Sequence, residues 1–296
     1  MKPYWEAPAE RLAMLRIGIG TFALGWVLAR FGDVLAVAKL PATQFRPVLV
    51  TRLLDEPLPY DVVLVLTIAT IALLVAFIAG VAYRVTAPIA AVLLLWTLSY
   101  RNSWGIPFHT ENLLVLQVIA LALAPAADVW ALARPPRAPP AAGYGWAIRL
   151  CAALVVVTYV LAGIAKLRIA GFDWLDGELL RNQIAVDNAR KSLLGDSIAP
   201  LATTFLAHPA LFTVFSALTL VVELGAPVAL LGGRFGKLWA LAAWGFHLGV
   251  VLLMNIWFLY PLSFVAFLPM FEPERPVSRL IAAWRSRRNA GTGQPV

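Results

Sequence analysis

The sequence contains little charge. Only 14% of its 296 residues are Asp, Glu, Lys or Arg, and 61% are hydrophobic. Soluble domains carry roughly 25% charged residues, so the composition excludes an ordinary soluble globular protein. It also excludes a disordered chain, because disordered chains are poor in hydrophobic residues. The remaining class is an all-α, polytopic integral membrane protein, and this is the predicted fold class.

Cysteine and histidine are scarce as well. Cys151 is the only cysteine, which excludes a disulfide scaffold. His109, His208 and His247 are the only histidines, and we expect no metal site. The CxxC, HExxH, GxSxG and P-loop motifs are absent. The net charge of +8 has no nucleic-acid motif beside it and is explained by basic cytoplasmic loops, so we predict no nucleic-acid partner.

Apolar runs near the 20 residues that cross a bilayer recur along the chain. They predict about eight transmembrane helices: 12–37, 62–82, 85–100, 112–127, 146–165, 211–231, and two from the uncharged stretch 238–271, divided near Asn255. We read the first as a membrane helix and not as a cleavable signal peptide. Residues 1–272 are predicted to form a single transmembrane domain, followed by a basic cytoplasmic tail, 273–296.

Lys and Arg indicate the orientation, because they concentrate in cytoplasmic loops. The clearest inside signal is a group of C-terminal arginines: Arg275, Arg279, Arg285, Arg287 and Arg288. With both termini cytoplasmic, two long connections, 39–61 and 167–209, lie outside. Apolar residues at near-helical spacing within 174–186 predict an exoplasmic amphipathic helix that either lies on the membrane surface or caps the bundle.

Ionisable residues within or beside the spans are costly, at about 2.5–3.5 kcal/mol for a charge, and three of them are candidate site residues. Lys166 is either a lysine that extends to the interface or a partly buried amine able to act as a general base. Glu223 lies mid-span beside Pro227; unpaired it would be protonated, and if it is paired we expect Arg or His. His247 is either a neutral side chain bonded to another helix or part of a site.

The segment 99–112 is the densest polar and aromatic cluster in the chain. It contains Arg101, Asn102, Trp104, His109 and Glu111. One interpretation is a belt of interfacial residues and helix caps, since Trp and Tyr favour that depth. The other is a functional site at the mouth of the third and fourth spans.

These residues occur in an order that resembles a known family. The elements are Trp104, His109, Ala162-Gly-Ile-Ala-Lys166-Leu, Trp174, Gly177, Phe246-His247 and Phe-Leu-Tyr-Pro261. Over residues 10–272 the chain resembles the horizontally transferred transmembrane (HTTM) domain, the family that includes vitamin K-dependent γ-glutamyl carboxylase. It looks like a short bacterial-type form. The Ala-Gly-x-x-Lys-Leu segment is the most specific part.

The resemblance implies an enzyme in which Lys166 is the base that deprotonates reduced vitamin K or menaquinol. Oxygen then converts the quinol into a base that removes a γ-proton from glutamate, and carbon dioxide is added. His109 and His247 match histidines near the quinone. We expect further quinone contacts from Arg101, Asn102, Trp104, Trp174 and Glu223. The expected setting is the bacterial inner membrane, with the site toward the periplasm and a peptide or protein as substrate.

The sequence departs from the carboxylase at two points. Ala165 precedes Lys166 where the vertebrate enzyme has two adjacent lysines, and the large exoplasmic domain that holds its peptide substrate is not in this sequence. Two other functions therefore stay open. One is a non-catalytic maturation factor that binds an exported peptide. The other is a solute or lipid transporter in which Glu223 and His247 relay protons.

Overall fold

A computed structural model of the chain describes residues 6–105, 110–132, 143–280 and 283. These residues are largely helical and contain no strand. The α-helices in the described ranges are α1 (Ala9–Ala29), α2 (Phe31–Val37), α3 (Tyr60–Ala79), α4 (Tyr83–Arg101), α5 (Asn112–Ala122), α6 (Gly145–Ala170), α7 (Glu178–Leu193), α8 (Ala202–Leu206), α9 (Pro209–Leu224), α10 (Gly233–Met254) and α11 (Leu259–Leu262).

Within the described residues, α1, α3, α4, α6 and α10 are long and apolar enough to cross a membrane, and α5 and α9 are apolar but shorter. Their outward side chains are apolar too. In α3, Val65, Ile68 and Val75 are each at least half exposed. Water would disfavour so much apolar surface, whereas lipid covers it. The chain is an integral membrane protein, and the predicted fold class is confirmed.

Uncharged apolar runs and helix bounds agree closely. Span 62–82 corresponds to α3, 85–100 to α4 and 146–165 to α6. The predicted division of the last long run is also observed, because α10 ends at Asn255. This residue adopts the left-handed conformation, with φ 49°, and such a residue commonly ends a helix.

The first predicted span is two helices. At Arg30 the backbone ψ is 5°, outside the helical range, and α2 begins at the next residue. The Arg30 guanidinium forms an ion pair with Asp33 at 3.0 Å across this break. Hydropathy alone does not reveal such a break, because the residues on both sides are apolar.

Breaks in the α-helical backbone interrupt the sixth and eighth predicted spans. After α9 the chain continues as a 3₁₀ helix, Ala226–Leu231, in which Pro227 has no N–H to donate. The predicted short eighth span is not one continuous helix. It consists of α11 and a 3₁₀ helix, Val265–Met270, separated at Phe264, which has a φ of 67°.

The chain divides into two compact units, which we describe separately. The first comprises 1–109, 114–148 and 271–296, and the second 110–113 and 149–270. In the first unit α3 packs against both α1 and α4. Arg16 of α1 is fully buried there. Its two terminal nitrogens donate to the carbonyl oxygens of Ala126 at 2.9 Å and Trp130 at 2.5 Å.

In the second unit α7 corresponds to the predicted amphipathic helix, although it begins at Glu178. Ile184 points inward, whereas Val186 is 66% exposed. The helix closes the carboxyl end of α10, since Asn188 donates to the carbonyl of Leu253 at 2.9 Å and Lys191 donates to that of Met254. These bonds satisfy carbonyl groups that every helix end leaves without an intrahelical partner.

Candidate functional site

Two polar stripes in the second unit carry the candidate site. Tyr159, Gly163 and Lys166 follow the spacing i, i+4, i+7 and so share one face of α6. On α9 a matching stripe is formed by Ser216, Thr219 and Glu223, all of which are buried. Polar side chains on adjacent membrane helices are stable only when they find partners.

Lys166 and Glu223 form an ion pair between these stripes. The Lys166 ammonium donates to Oε1 of Glu223 at 2.5 Å. The Glu223 side chain is 3% exposed and that of Lys166 is 22% exposed. Of the two interpretations of Lys166 given above, its burial therefore matches the partly buried amine. The expectation that Arg or His would neutralise Glu223 is wrong, because the partner is a lysine 57 residues away.

Gly163 permits this close approach, as its small size predicts. A Cβ at this position would lie 2.8 Å from a methyl carbon of Leu224 and 3.1 Å from Cβ of Glu223. Real Cβ atoms do not tolerate the shorter of these distances. The glycine thus lets the Lys166 amine reach the carboxylate on α9.

Trp174 covers the lysine. Its ring centroid lies 5.5 Å from Nζ of Lys166, within the range of a cation–π interaction. The indole N–H donates to the carbonyl of Ser216 at 3.3 Å and to Oγ1 of Thr219 at 3.2 Å. The side chain is buried, so its orientation over the amine is fixed by α9.

The position of Trp174 depends on a turn at Gly177. This residue has a φ of 88°, and a Cβ there would collide with backbone atoms of Phe212 and Thr213. Glycine is the residue that adopts this conformation without strain. It brings the 3₁₀ helix Gly171–Asp176, which carries Trp174, directly against the start of α9.

His247 and Tyr159 form a second buried pair. The Tyr159 hydroxyl lies 2.7 Å from Nε2 of His247. The rings of Phe246 and Phe258 lie 5.1 and 5.2 Å from that of His247. Sequence reasoning missed Tyr159. Its spacing of seven residues from Lys166 is the signal that identifies it.

Three buried polar atoms around these two pairs have no hydrogen-bond partner. They are Oε2 of Glu223, Nδ1 of His247 and Oγ of Ser216. Leaving such an atom unsatisfied costs about 1–3 kcal/mol, so several of them on neighbouring helices suggest that a ligand supplies the missing bonds. In the tautomer in which the Tyr159 hydroxyl donates to Nε2, Nδ1 carries the ring proton. Glu223 and His247 then offer one acceptor and one donor.

Among known protein families, the model of the HTTM domain matches residues 4–275. The chain is a member of the HTTM domain family. No curated protein and no solved structure gives a significant match.

Most of the other predicted cluster of this HTTM protein belongs to the first unit, whereas Glu111 belongs to the second. Arg101 is the last residue of α4 and Asn102 is its C-cap. The Trp104 ring packs against those of Phe45 at 5.1 Å and Tyr100 at 6.0 Å. His109 lies outside the described residues. The packing of Trp104 explains the local structure, and a role of this cluster in ligand binding stays a prediction.

The charged groups of α7 lie outside the spans of the HTTM protein. Burial alone would raise the pKa of Asp187, but hydrogen bonds from Lys191 and Arg190 outweigh it and hold the pKa below its usual value. Asp187 is therefore the anionic partner that keeps Lys191 over the end of α10, at a distance of 2.7 Å.

Proposed function

We propose that this HTTM protein is a quinol-dependent membrane enzyme of the carboxylase type, in which Lys166 is the base. The observation that carries the proposal is the Lys166–Glu223 pair, a partly buried amine and a buried carboxylate joined at 2.5 Å with one carboxylate oxygen unsatisfied.

The residues present fit a reduced quinone. Its two hydroxyl groups are donors as well as acceptors, matching the unsatisfied Oε2 of Glu223 and Nδ1 of His247. Lys166, Glu223 and His247 would hold the ring, and Trp174 and Phe246 supply flat apolar surfaces beside it. The site would then have apolar walls and a polar centre, as expected for a quinol.

The Lys166 ammonium would first pass its proton to Glu223, and the neutral amine so formed would accept a hydroxyl proton of the quinol. The new ammonium and the Glu223 carboxylic acid together then hold both protons, and the ammonium stabilises the quinol anion beside it. Tyr159 fixes the ring of His247, so that the Nδ1 proton is held toward the ligand. The water-poor interior strengthens each of these interactions.

Bound there, reduced vitamin K or menaquinol would supply, with O2, a base strong enough to remove a γ-proton of a Glu-type substrate, to which CO2 is then added. The site would face the periplasm of the bacterial inner membrane with both chain termini in the cytoplasm, as the distribution of Lys and Arg indicates. The substrate would be a peptide or protein presented on that side.

The proposal is tested by incubating the purified protein in lipid nanodiscs with reduced vitamin K and menaquinol under O2 and measuring quinone epoxide. We expect epoxide from the wild type and a loss of about 100-fold or more in Lys166→Ala. Lys39→Ala is the matched control, since Lys39 contacts Tyr60 in the first unit. Absence of epoxide, or equal epoxide from a folded Lys166→Ala protein, would overturn the assignment in favour of a non-catalytic maturation factor.

A proton relay between Glu223 and His247, as a transporter would need, receives less support. Glu223 bonds to Lys166 and His247 to Tyr159, and no direct hydrogen bond joins the two.

A further inference from the structure

An apolar groove of about 450 Å³ lies between α9 and α10 in the second unit. Its α9 wall includes Phe215, Leu218 and Val222, which follow helical spacing on one face. Its α10 wall includes Gly245 and Gly249. Side chains of α7 and α8 form a roof over one end. The roof distinguishes the groove from an ordinary lipid-facing surface.

The two glycines give the groove its depth. A Cβ added at Gly245 or at Gly249 would meet no atom within 4 Å. Glycine is disfavoured in helix interiors, and a pair separated by four residues in a membrane helix usually marks a close neighbour. Gly163 has such a neighbour in α9. No described residue fills the corresponding space at Gly245 and Gly249, so the space is available to a molecule other than this chain.

The groove adjoins the polar site at two points. Thr219 lines the groove and also accepts the hydrogen bond from Trp174, whose ring covers Lys166. Phe246 lines the groove and contacts the ring of His247. A molecule with a polar head between Lys166 and His247 would therefore have an apolar tail directed along the groove.

We infer that the groove binds the prenyl chain of the quinol, so that the protein selects long-chain quinols over chain-free ones. This inference rests on the proposed function, which places the quinol head at Lys166. A helix of a second copy fits less well, since two turns about 10 Å wide and 11 Å long exceed the volume of the groove. A bilayer phospholipid fits less well because its head group stays at the membrane surface, whereas Thr219 and Phe246 of the groove wall border the polar site.

The chain gains little hydrophobic free energy by leaving lipid for the groove, because both surroundings are apolar. Its binding depends on close packing. Filling the groove should therefore exclude the chain sterically while leaving the polar site intact. Gly249→Leu and Gly245→Leu do this without touching Lys166, and Gly25→Leu is the matched control. Gly25 also lies inside a helix, α1, with no atom within 4 Å of an added Cβ.

The test uses the full-length protein in lipid nanodiscs and a reduced naphthoquinone whose prenyl chain carries a diazirine. After photolysis, labelled residues are located by mass spectrometry. We expect the label in 215–222 and 242–254, competed by unlabelled long-chain quinol. We also expect it to be reduced about tenfold in Gly249→Leu and unchanged in Gly25→Leu. The wild-type map does not depend on any variant folding.

Three results would overturn the inference. Label spread over all lipid-facing helices, without competition, would indicate ordinary lipid in the groove, and cross-links between two copies would indicate a second chain. Equal labelling of the groove in wild type and Gly249→Leu would show that the space does not hold the chain. Reduced 2-methyl-naphthoquinone, which has no chain, distinguishes a failure of the groove assignment from a failure of the proposed function. If one of these three results is obtained and this compound binds wild type and Gly249→Leu equally, only the groove assignment fails. If it binds neither protein, the proposed function fails as well.

Discussion

Arg16 in the first unit and Lys166 in the second are both cations placed inside membrane helices, and the two are neutralised differently. Arg16 is fully buried and donates to two backbone carbonyls, those of Ala126 and Trp130. Lys166 is partly exposed and donates to a side-chain carboxylate. Backbone carbonyls cannot change their charge, whereas a carboxylate can gain or lose a proton.

We interpret Arg16 as a structural cation and Lys166 as a candidate for proton transfer. The guanidinium of arginine is permanently charged and its fixed fork suits two acceptors at once, so Arg16 ties α1 to the segment after α5. A lysine amine titrates and carries a single nitrogen, so beside Glu223 it is suited to proton transfer. Exchanging the two residue types therefore has different expected consequences in the two units.

The largest expected effect is that of Lys166→Arg on activity. Arginine keeps the positive charge and can bind Glu223, but it does not deprotonate. We expect epoxide formation to fall by about 10²–10⁴-fold, while the melting temperature in detergent changes by only a few degrees. A variant that retains most of its activity would show that Lys166 acts through its charge and not as a base.

The reciprocal change, Arg16→Lys, should act on stability. The Arg16 guanidinium reaches the two carbonyls from two separate nitrogens, whereas the shorter lysine places all its donors on one nitrogen, so we expect one buried hydrogen bond to a charged group to be lost, at a cost of about 2 kcal/mol. Thermal unfolding in detergent measures the loss. Epoxide formed per folded molecule should equal that of the wild type. A stable variant with reduced activity would contradict the division between the two cations.

The apolar runs predicted where helices lie, because the length and hydropathy of a span are local properties. Span 62–82 and α3, for example, coincide within a few residues. The break at Arg30 and the interrupted stretch after Asn255 were not predictable in the same way, since they depend on backbone conformations at single residues. Residues 1–272 as one transmembrane domain stay a prediction.

Single residues were easier to predict than their partners. Four candidate residues are recognisable from the sequence because polar or aromatic side chains within or beside a span require a structural or functional explanation. They are Lys166, Glu223, His247 and Trp174. That Lys166 pairs with Glu223 was not predictable, because their contact joins residues far apart in the sequence. Tyr159 was missed because a tyrosine in a span is most often an interfacial residue.

An intermediate effect is expected of Tyr159→Phe. The substitution removes only the hydroxyl that bonds to Nε2 of His247, so the imidazole loses its fixed orientation. The expected cost is about 1 kcal/mol, or a factor of about five in activity. Nitrogen NMR of histidine-labelled protein should show a changed mixture of the two ring tautomers. If both the tautomer mixture and the activity were unchanged, Tyr159 would have no role in the site. Tyr144→Phe in the first unit is the matched control.

The smallest expected effect concerns a charged pair outside the spans, where solvent screens the interaction. Asp187 holds Lys191 over the end of α10, and its pKa is lower in the folded than in the unfolded protein. Its contribution is therefore complete at neutral pH and is lost as the pH falls below about 3.9 through the folded pKa. Asp187→Asn should lower stability by less than about 1 kcal/mol at neutral pH. The difference from the wild type should shrink as the pH falls below about 3.9 and the carboxylate takes up a proton. Melting temperatures of both proteins across this pH range measure it. A difference in melting temperature that grows on acidification would show that Asp187 opposes folding. The Asp187–Lys191 pair would then differ from the stabilising interactions of Arg16 and Lys166.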